Sequence, residues 1–357
     1  MLEAKSEKAL KHCLSGLSEE ELVSIAKSFG WPQFKGKQIH GWIYAKNISS
    51  IDEMSDLSLK DRETLKEKFI LSPLLTEKKV VSKDKTIKYL WKLNDNQFVE
   101  SVRMFMDDHD SYSACISSQV GCAVGCPFCA TGTLGFKRNL TASEIVDQIL
   151  GIQRDTKERI SNIVFMGQGE PLLNYNEVLK SIDLIKTSVG IGGRHITLST
   201  SGVVPQIKKL ADEKLQITLA LSLHAPDQKT REYLVPISQK YKMNELIQSL
   251  HYYYNKTKRR ITIEYVMLEN INDQIDKAKQ LSDLLKDLHC HINLIPYNPI
   301  EHSFPGSELT RPKQVQINKF KEVLEKTSRK KVTIRKERGT DIDAACGQLA
   351  NLFTSKS

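Results

Sequence analysis

The spacing of apolar residues changes twice along the chain and predicts three structural regions. Up to residue 75, apolar positions recur at helical spacing in three segments, 18–29, 37–44 and 58–69. From residue 79 the pattern is that of short strands, 79–81, 87–93 and 98–104, with a polar turn at residues 94–96. We therefore predict a helical accessory domain at residues 1–75 and a small β extension at residues 76–108.

Beyond residue 108, strand and helix patterns alternate. Strands are predicted at 113–117, 162–166, 195–199, 217–223, 261–267, 291–295 and 331–335. Helices are predicted between them, at 142–157, 176–187, 204–214, 243–256, 274–288 and 312–327. Regular alternation of this kind produces a parallel sheet covered by helices. The fold class predicted for residues 109–349 is therefore α/β, a partial (βα)6 TIM-like barrel, followed by a C-terminal tail at 350–357. Catalytic groups of such barrels lie at the carboxyl ends of the strands.

The composition is ordinary for a soluble protein, with 40% hydrophobic and 27% charged residues among 357. No apolar run approaches the roughly 20 residues that span a bilayer, and the charged N-terminus does not resemble a signal peptide. We therefore expect a cytoplasmic protein. Lys and Arg exceed Asp and Glu by 52 to 43, a net charge of +9. This excess favours a nucleic acid partner, although a mildly basic solvated surface would give the same count.

Three of the seven cysteines have the spacing of an iron–sulfur site. The run Cys122-x3-Cys126-x2-Cys129 follows the first predicted barrel strand, and three thiolates on one loop can ligate three irons of a [4Fe–4S] cluster. The fourth iron can then chelate the amino and carboxylate groups of S-adenosylmethionine (SAM). A zinc knuckle is the alternative, with Cys115 or a histidine as fourth ligand, but zinc sites usually pair two C-x2-C units.

The cysteine triad marks the radical SAM superfamily, and further stretches extend the resemblance to one family within it. The sequence resembles the RlmN/Cfr family of RNA adenosine methyltransferases at CISSQVGC (115–122), FMGQGEP (165–171), STSGVVP (199–205), LSLHAP (221–226), EYVML (264–268), NLIPYNP (293–299) and DIDAACGQL (341–349). The resemblance runs from about residue 34 to residue 349. It implies a radical SAM barrel and the methylation of an adenine in RNA.

The resemblance also implies a set of SAM contacts, which lie at or just after the carboxyl ends of predicted strands. Gly169 and Glu170 match the family's contact with the methionyl amine, and Ser199 matches a contact with the ribose. The full set is Gly169, Glu170, Ser199, Ser222, Leu223, His224 and Asn298. From the residues alone, the glycines could simply form a turn that ends a strand, and His224 could be a structural histidine. Gln168 departs from the methionine of many relatives.

Three more residues match the family's reaction, which uses two SAM molecules per turnover. Cys346 is methylated first, and a radical made from the second SAM takes a hydrogen from that methyl group. The carbon radical adds to adenine, because C2 and C8 are too electron-poor to be methylated by simple displacement. Cys115 then releases the product by forming a disulfide with Cys346, and Glu100 accepts the proton. From the sequence alone Asp95 is an alternative acid, and Glu100 could be an exposed strand carboxylate.

The implied substrates are an adenine C2 of 23S ribosomal RNA, at the peptidyl-transferase centre, and an anticodon-loop adenine of tRNA. Two alternatives stay open: C8 methylation, as in the Cfr branch, and a non-catalytic zinc module that binds RNA. Basic residues that could neutralise phosphates are Lys256, Lys258, Arg259, Arg260, Arg329, Lys330, Lys331, Arg335, Lys336 and Arg338. We expect an electron donor such as flavodoxin, a monomeric chain, no membrane partner, and a flexible loop at residues 339–347 that carries Cys346.

Overall fold

The computed structural model describes residues 12–107, 110–300 and 309–350. All four predicted regions therefore lie partly outside the described residues. The parts outside are residues 1–11 of the accessory domain, residue 108 of the β extension, residues 109 and 301–308 of the barrel, and the C-terminal tail from residue 351 onward.

The N-terminal helices begin at residues whose side chains cap them. This part of the chain contains β1 (His12–Cys13), α1 (Glu19–Ser28), α2 (Gln33–His40), α3 (Leu59–Lys68) and β2 (Phe69–Ile70). Ser18 Oγ accepts a hydrogen bond from Glu21 N, and the Glu21 carboxylate accepts one from Ser18 N, so α1 begins with a capping box. Ser58 Oγ caps α3 by accepting from Asp61 N. The three predicted N-terminal helices are thus present.

One mixed sheet of ten strands runs through the described part of the chain. From residue 74 onward the strands are β3 (Leu74–Val81), β4 (Ile87–Leu93), β5 (Phe98–Met106), β6 (Ser111–Cys115), β7 (Gln119–Gly121), β8 (Phe136–Asn139), β9 (Ile160–Phe165), β10 (Ile196–Thr200), β11 (Thr218–Ser222), β12 (Ile261–Met267), β13 (Cys290–Pro296) and β14 (Val332–Ile334). The helices are α4 (Ala130–Thr133), α5 (Ala142–Thr156), α6 (Tyr175–Thr187), α7 (Val204–Asp212), α8 (Gln228–Leu234), α9 (Met243–Thr257), α10 (Ile275–Leu285) and α11 (Gln314–Ser328).

The order of the strands is that of an open barrel. β6 and β9 to β14 are parallel neighbours, and β5, β4 and β3 continue the sheet from β6 in antiparallel fashion. β3 and β14 stand at the two ends of this order. β7 and β8 form a separate antiparallel hairpin. The predicted α/β class with a partial barrel is therefore confirmed.

The β extension is part of the barrel sheet. β5 pairs with β6, with Val102 opposite Cys115. Trp91 on β4 packs against α5, where a Cβ on Gly151 would lie 2.8 Å from the Trp91 ring, so only glycine fits at this crossing. Trp91 Nε1 donates to Ser101 Oγ at 2.6 Å, which satisfies its one polar group in the core. Residues of the extension are thereby held beside the first barrel strand.

The elements that the hydrophobic pattern did not predict are short. They are β1, β2, the β7–β8 hairpin, α4 and α8, whose lengths of two to seven residues are too short for a periodic pattern to stand out. None of the helices in the described ranges is long and apolar enough to cross a membrane.

Candidate active site

The cysteine triad lies on the loop between β7 and α4. Gly121 ends β7 with φ +73°, and a Cβ there would lie 1.8 Å from the carbonyl oxygen of Gly135, so the hairpin closes only with glycine at this position. Cys122 N donates to the same Gly135 oxygen at 3.0 Å. The chain then turns so that Cys122, Cys126 and Cys129 line one cavity.

Burial makes these three thiols hard to ionise in the absence of a bound cation. It raises the pKa of Cys122 to about 12 and also raises the pKa values of Cys126 and Cys129. Because the thiolate is the form that binds metal, a bound group must offset this desolvation. Val124 and Tyr297 belong to the apolar cluster beside the cysteines. Three thiolates against an apolar wall fit a [4Fe–4S] cluster, in which each thiolate binds a different iron.

The arrangement does not support the zinc alternative. Within the described ranges, no three His, Cys, Asp or Glu side chains are grouped as ligands of a single metal ion. A structural zinc site needs four ligands at about 2.0–2.3 Å from one position. Cys115, the sequence candidate for the fourth ligand, is on β6 and lines a different cavity.

Glu170 follows β9 and holds the ends of two neighbouring strands together. Its buried carboxylate accepts four hydrogen bonds: from Leu172 N at 3.0 Å, Thr200 Oγ1 at 2.8 Å, and Ser201 N and Oγ at 2.6 and 2.7 Å. Burial raises the pKa of Glu170, and these four donors oppose the shift. Four donors match the lone-pair sites of two carboxylate oxygens. An incoming ammonium would therefore have to displace one of them.

Gly169, just before Glu170, lets the backbone pass close to β7, the strand that leads into the cysteine loop. Its φ is +102°, and a Cβ there would lie 2.6 Å from the Gln119 side chain. Both Gly169 and Glu170 line the cavity with the cysteine triad. A larger residue at position 169 would push this turn away from β7.

The other predicted SAM contacts follow the next strands, and all but one line the same cavity. Ser199 and Ser222, on neighbouring strands, bring their hydroxyl oxygens to 3.4 Å from each other, and Asn298 follows β13. Leu223 is the exception, because its side chain is fully buried in the core and does not line the cavity. Its carbonyl oxygen accepts from the buried guanidinium of Arg231, so Leu223 can contribute through its backbone alone.

His224 has a tautomer fixed by its surroundings. Its Nδ1 accepts a hydrogen bond from Val266 N at 3.0 Å, so the ring proton is on Nε2. Burial lowers the pKa of His224 to about 3, and the charge of Arg231 acts in the same direction. The ring also meets Phe128 edge to face at 4.9 Å. A neutral histidine in this cavity can donate one hydrogen bond to a ligand.

The two remaining cysteines of the predicted reaction share a second cavity. Cys115 ends β6 and is buried, which raises its pKa to about 12. Cys346 is exposed and lines both cavities, so it lies where the two meet. Asn298 Nδ2 donates to the Cys346 carbonyl oxygen at 3.3 Å. All seven cysteines, including this pair, are free thiols in the structure.

Two charged residues in the cavity walls had no assigned role there. Glu264 on β12 and Arg335, just after β14, line the cavity with the cysteine triad and approach each other to 4.0 Å. Asn293 Nδ2 donates to Glu264 at 2.9 Å. The sequence did contain a signal, because a carboxylate inside an apolar strand is rarely buried without a partner. From the sequence alone, Arg335 is placed only among the basic residues that could neutralise phosphates.

Glu100 lines neither of the two cavities, although Val102, two residues further along β5, lines the second. It is fully buried on β5, and its carboxylate is 3.5 Å from the Lys88 ammonium on β4. Ser117 Oγ donates to its carbonyl oxygen at 2.6 Å. Asp95, the alternative acid, is on the turn after β4 and pairs with Arg138 at 2.6 Å. Glu100 is thus not an exposed strand carboxylate, whereas Asp95 is partly exposed and already paired.

The predicted RNA-binding basic residues divide between the two ends of the barrel. The group at residues 256–260 precedes β12 and the group at 329–331 precedes β14, so both lie at the amino ends of strands, opposite the cysteine cavity. Several also have partners inside the protein: Lys256 pairs with Asp212 at 3.5 Å, and Arg259 donates to the Ile217 carbonyl oxygen at 2.6 Å. Arg335, Lys336 and Arg338 follow β14 and lie at the cavity end.

Comparison with known sequences assigns the chain to a family. The model of the radical SAM superfamily matches residues 116–281, and that of the ribosomal RNA large subunit methyltransferase N-terminal domain matches residues 13–71. A protein of Alkaliphilus oremlandii named "Probable dual-specificity RNA methyltransferase RlmN" is 47% identical over 94% of this chain and 96% of its own length. The chain belongs to the RlmN family of radical SAM proteins. An RlmN relative of Thermotoga maritima, with the same name, is 46% identical over 94% of this chain and 96% of its own length.

A solved structure supports the RlmN assignment at the level of the fold. The crystal structure of a radical SAM methyltransferase from Sphaerobacter thermophilus matches with a TM-score of 0.90 and 40% sequence identity. The match covers 95% of this chain and 99% of that chain. The resemblance to the RlmN/Cfr family inferred from the sequence motifs is therefore confirmed.

Proposed function

We propose that this protein methylates carbon 2 of an adenine in RNA, in 23S ribosomal RNA at the peptidyl-transferase centre and in the anticodon loop of tRNA. The observation that carries the proposal is the position of Cys346. It lines the cavity of the cysteine triad and also the cavity of Cys115. A sulfur at that junction can receive a methyl group on one side and meet a second thiol on the other.

The roles of the cofactors follow from the chemistry of adenine. C2 is electron-poor and does not attack a methyl sulfonium. A [4Fe–4S] cluster at Cys122, Cys126 and Cys129 and two SAM molecules per turnover would supply the methyl group and a radical that removes hydrogen. Binding of SAM falls to Gly169, Glu170, Ser199, Ser222, Leu223, His224 and Asn298. His224 would donate from Nε2, and Leu223 would contribute its backbone.

Three residues of the chain would then handle the carbon. Cys346 carries it as S-methylcysteine and links it to the adenine. The radical formed by this addition must first give up one electron, which the cluster would take back. The Cys115 thiolate then attacks the Cys346 sulfur, so the carbon–sulfur bond breaks as a transient disulfide bond forms. Its electron pair stays with the carbon, which takes up a proton and becomes the methyl group. Glu100 accepts the proton that leaves C2. Burial raises the pKa of Cys115 to about 12, so this thiol has to lose its proton before or during the attack.

The regions predicted from the sequence take separate parts in this proposal. The accessory domain, residues 1–75, grips RNA; its support is the family match at residues 13–71. The β extension at 76–108 supplies Glu100, and the core at 109–349 holds the cofactors. The chain works as a cytoplasmic monomer and takes electrons from a donor such as flavodoxin.

Nucleoside mass spectrometry tests the proposal most directly. Ribosomal RNA and tRNA from cells that lack an RlmN-type enzyme are treated with the reconstituted protein, SAM and a reductant, then digested. We expect 2-methyladenosine from both RNAs. Formation of 8-methyladenosine would instead support the Cfr-like alternative. A colourless protein without iron after anaerobic preparation would contradict the cluster and favour a zinc module.

A further inference from the structure

The residues that lead to Cys346 are docked on the β extension. We call residues 339–347 the carrier segment. The turn between β3 and β4 holds its first part, because Ser82 Oγ donates to Asp341 Oδ1 at 2.5 Å and Lys83 N donates to Asp341 Oδ2 at 3.2 Å. In return, Gly339 N donates to Asp84 Oδ2 at 2.9 Å. The carrier segment, which the sequence suggested to be a flexible loop, is therefore anchored at its start.

The backbone of the carrier segment fits this dock closely. Gly339 has φ +62°, and a Cβ there would lie 2.9 Å from both Thr86 and Ala344 side-chain carbons. Asp343 also has a positive φ, +51°, and Ala344 N donates to the Gly339 carbonyl oxygen at 2.9 Å. A turn this tight directs the Asp343 carbonyl oxygen into the protein.

Lys88 meets that carbonyl oxygen from β4. Its side chain is almost completely buried, and Nζ donates to the Asp343 carbonyl oxygen at 3.1 Å. The same Nζ is 3.5 Å from Glu100 Oε1, and the Glu100 side chain is fully buried. A buried ammonium is stable only when charged or polar groups compensate for lost water. Here one of these partners is a backbone atom three residues before Cys346.

We propose that Lys88 is a positioning residue shared by the carrier segment and the base: it docks the segment through Asp343 and keeps the Glu100 carboxylate ionised. The proposal rests on the roles of Cys346 and Glu100 proposed above. A neighbouring positive charge favours the carboxylate, while burial without it favours the neutral acid. A neutral Glu100 could not accept the proton from C2.

Three single variants separate the two roles. Lys88→Met removes both the donor to Asp343 and the charge beside Glu100. Asp84→Asn is the matched control for docking, because either orientation of the amide leaves Gly339 N or Thr86 N without an oxygen acceptor. Glu100→Gln removes the base and keeps the hydrogen bond from Lys88 to the Asp343 carbonyl oxygen. Lys88→Met alone takes a positive charge away from the buried Glu100 carboxylate. The double variant, Lys88→Met with Glu100→Gln, removes the carboxylate as well and so tests docking without that charge imbalance.

Two readouts are taken from each variant. Amide hydrogen exchange of the carrier segment reports docking and does not need turnover. Denaturing gels of the reconstituted enzyme with SAM and RNA report the fraction of protein covalently joined to RNA. We expect Lys88→Met, Asp84→Asn and the double variant to speed exchange of the segment at least threefold, with Glu100→Gln like wild type. Among the single variants, we expect Lys88→Met and Glu100→Gln to accumulate at least ten times more RNA adduct than wild type. Asp84→Asn should not accumulate it.

Each half of the proposal can fail separately. If the carrier segment exchanged its amide hydrogens at the wild-type rate in Lys88→Met and in the double variant, the docking role of Lys88 would be overturned. If Lys88→Met released RNA as fast as Asp84→Asn, the proposal that Lys88 keeps the Glu100 carboxylate ionised would be overturned. Normal release by Glu100→Gln would show that the proposed function misassigns the base; it would remove the second role of Lys88, while the exchange data would still decide the first.

Discussion

Replacing Glu170 by Gln tests whether this carboxylate is an architectural group of the site. In the structure its two oxygens accept four hydrogen bonds, two of them from the backbone N–H groups of Leu172 and Ser201. Glutamine offers one oxygen and one NH2 group in nearly the same shape. The hydroxyls of Thr200 and Ser201 can reverse their bonds, but a backbone N–H cannot. Either orientation of the amide therefore leaves one buried N–H facing another donor.

The magnitude follows from that single unsatisfied group. A buried donor without an acceptor costs about 1–3 kcal/mol, and the remaining bonds lose the strength that the charge gave them. Relief of the buried charge offsets part of the loss, since burial raises the pKa of Glu170. We expect a net destabilisation of about 2 kcal/mol. With an unfolding entropy of about 2 cal/mol/K per residue, this lowers the Tm by about 3 °C.

Scanning calorimetry of the metal-free protein without SAM measures this effect apart from ligand binding. Glu213→Gln is the matched control, because Glu213 is exposed and accepts only the reversible Tyr175 hydroxyl, at 3.1 Å. Its Tm should stay within about 1 °C of wild type. A Glu170→Gln protein that melts together with the control would refute the reasoning, because the four bonds would then carry no net stability.

Outcomes are also expected for four other variants. Cys122→Ala should lose iron on reconstitution and form no 5′-deoxyadenosine, as measured by iron analysis and chromatography; full iron content would exclude the triad. Cys346→Ala should keep its iron but transfer no methyl group. Cys115→Ala should accumulate protein covalently joined to RNA. Normal turnover by either variant would contradict the role proposed for the replaced cysteine. Burial lowers the pKa of His224 from 6.5 to about 3, so its contribution to stability is complete above pH 6.5 and declines as the pH falls toward 3. Between pH 7 and pH 5 this contribution to the free energy of unfolding falls by about 2 kcal/mol. Denaturation curves of His224→Gln at the two pH values should lack this fall. The same pH dependence in the variant and in wild type would contradict the burial argument.

The sequence by itself determined the order of the elements and the cysteine triad. Periodicity is a local property, so the strands at 87–93 and 261–267 were predicted with the bounds that the structure has. The triad spans only eight residues, so its chemistry could be recognised without knowing the fold. The predicted carboxyl-end location of the site followed from the parallel alternation alone.

Only the tertiary structure decided which distant residues meet. Cys115 and Cys346 share a cavity because β6 and the carrier segment are brought together by the sheet and the β3–β4 turn, and no local pattern encodes that contact. The same holds for the basic groups at 256–260 and 329–331, which look alike in sequence to residues 335–338 but lie at the opposite ends of their strands. Both the shared cavity and the positions of the basic groups depend on the arrangement of the strands in the barrel, because residues far apart in sequence become neighbours only when the whole barrel is assembled.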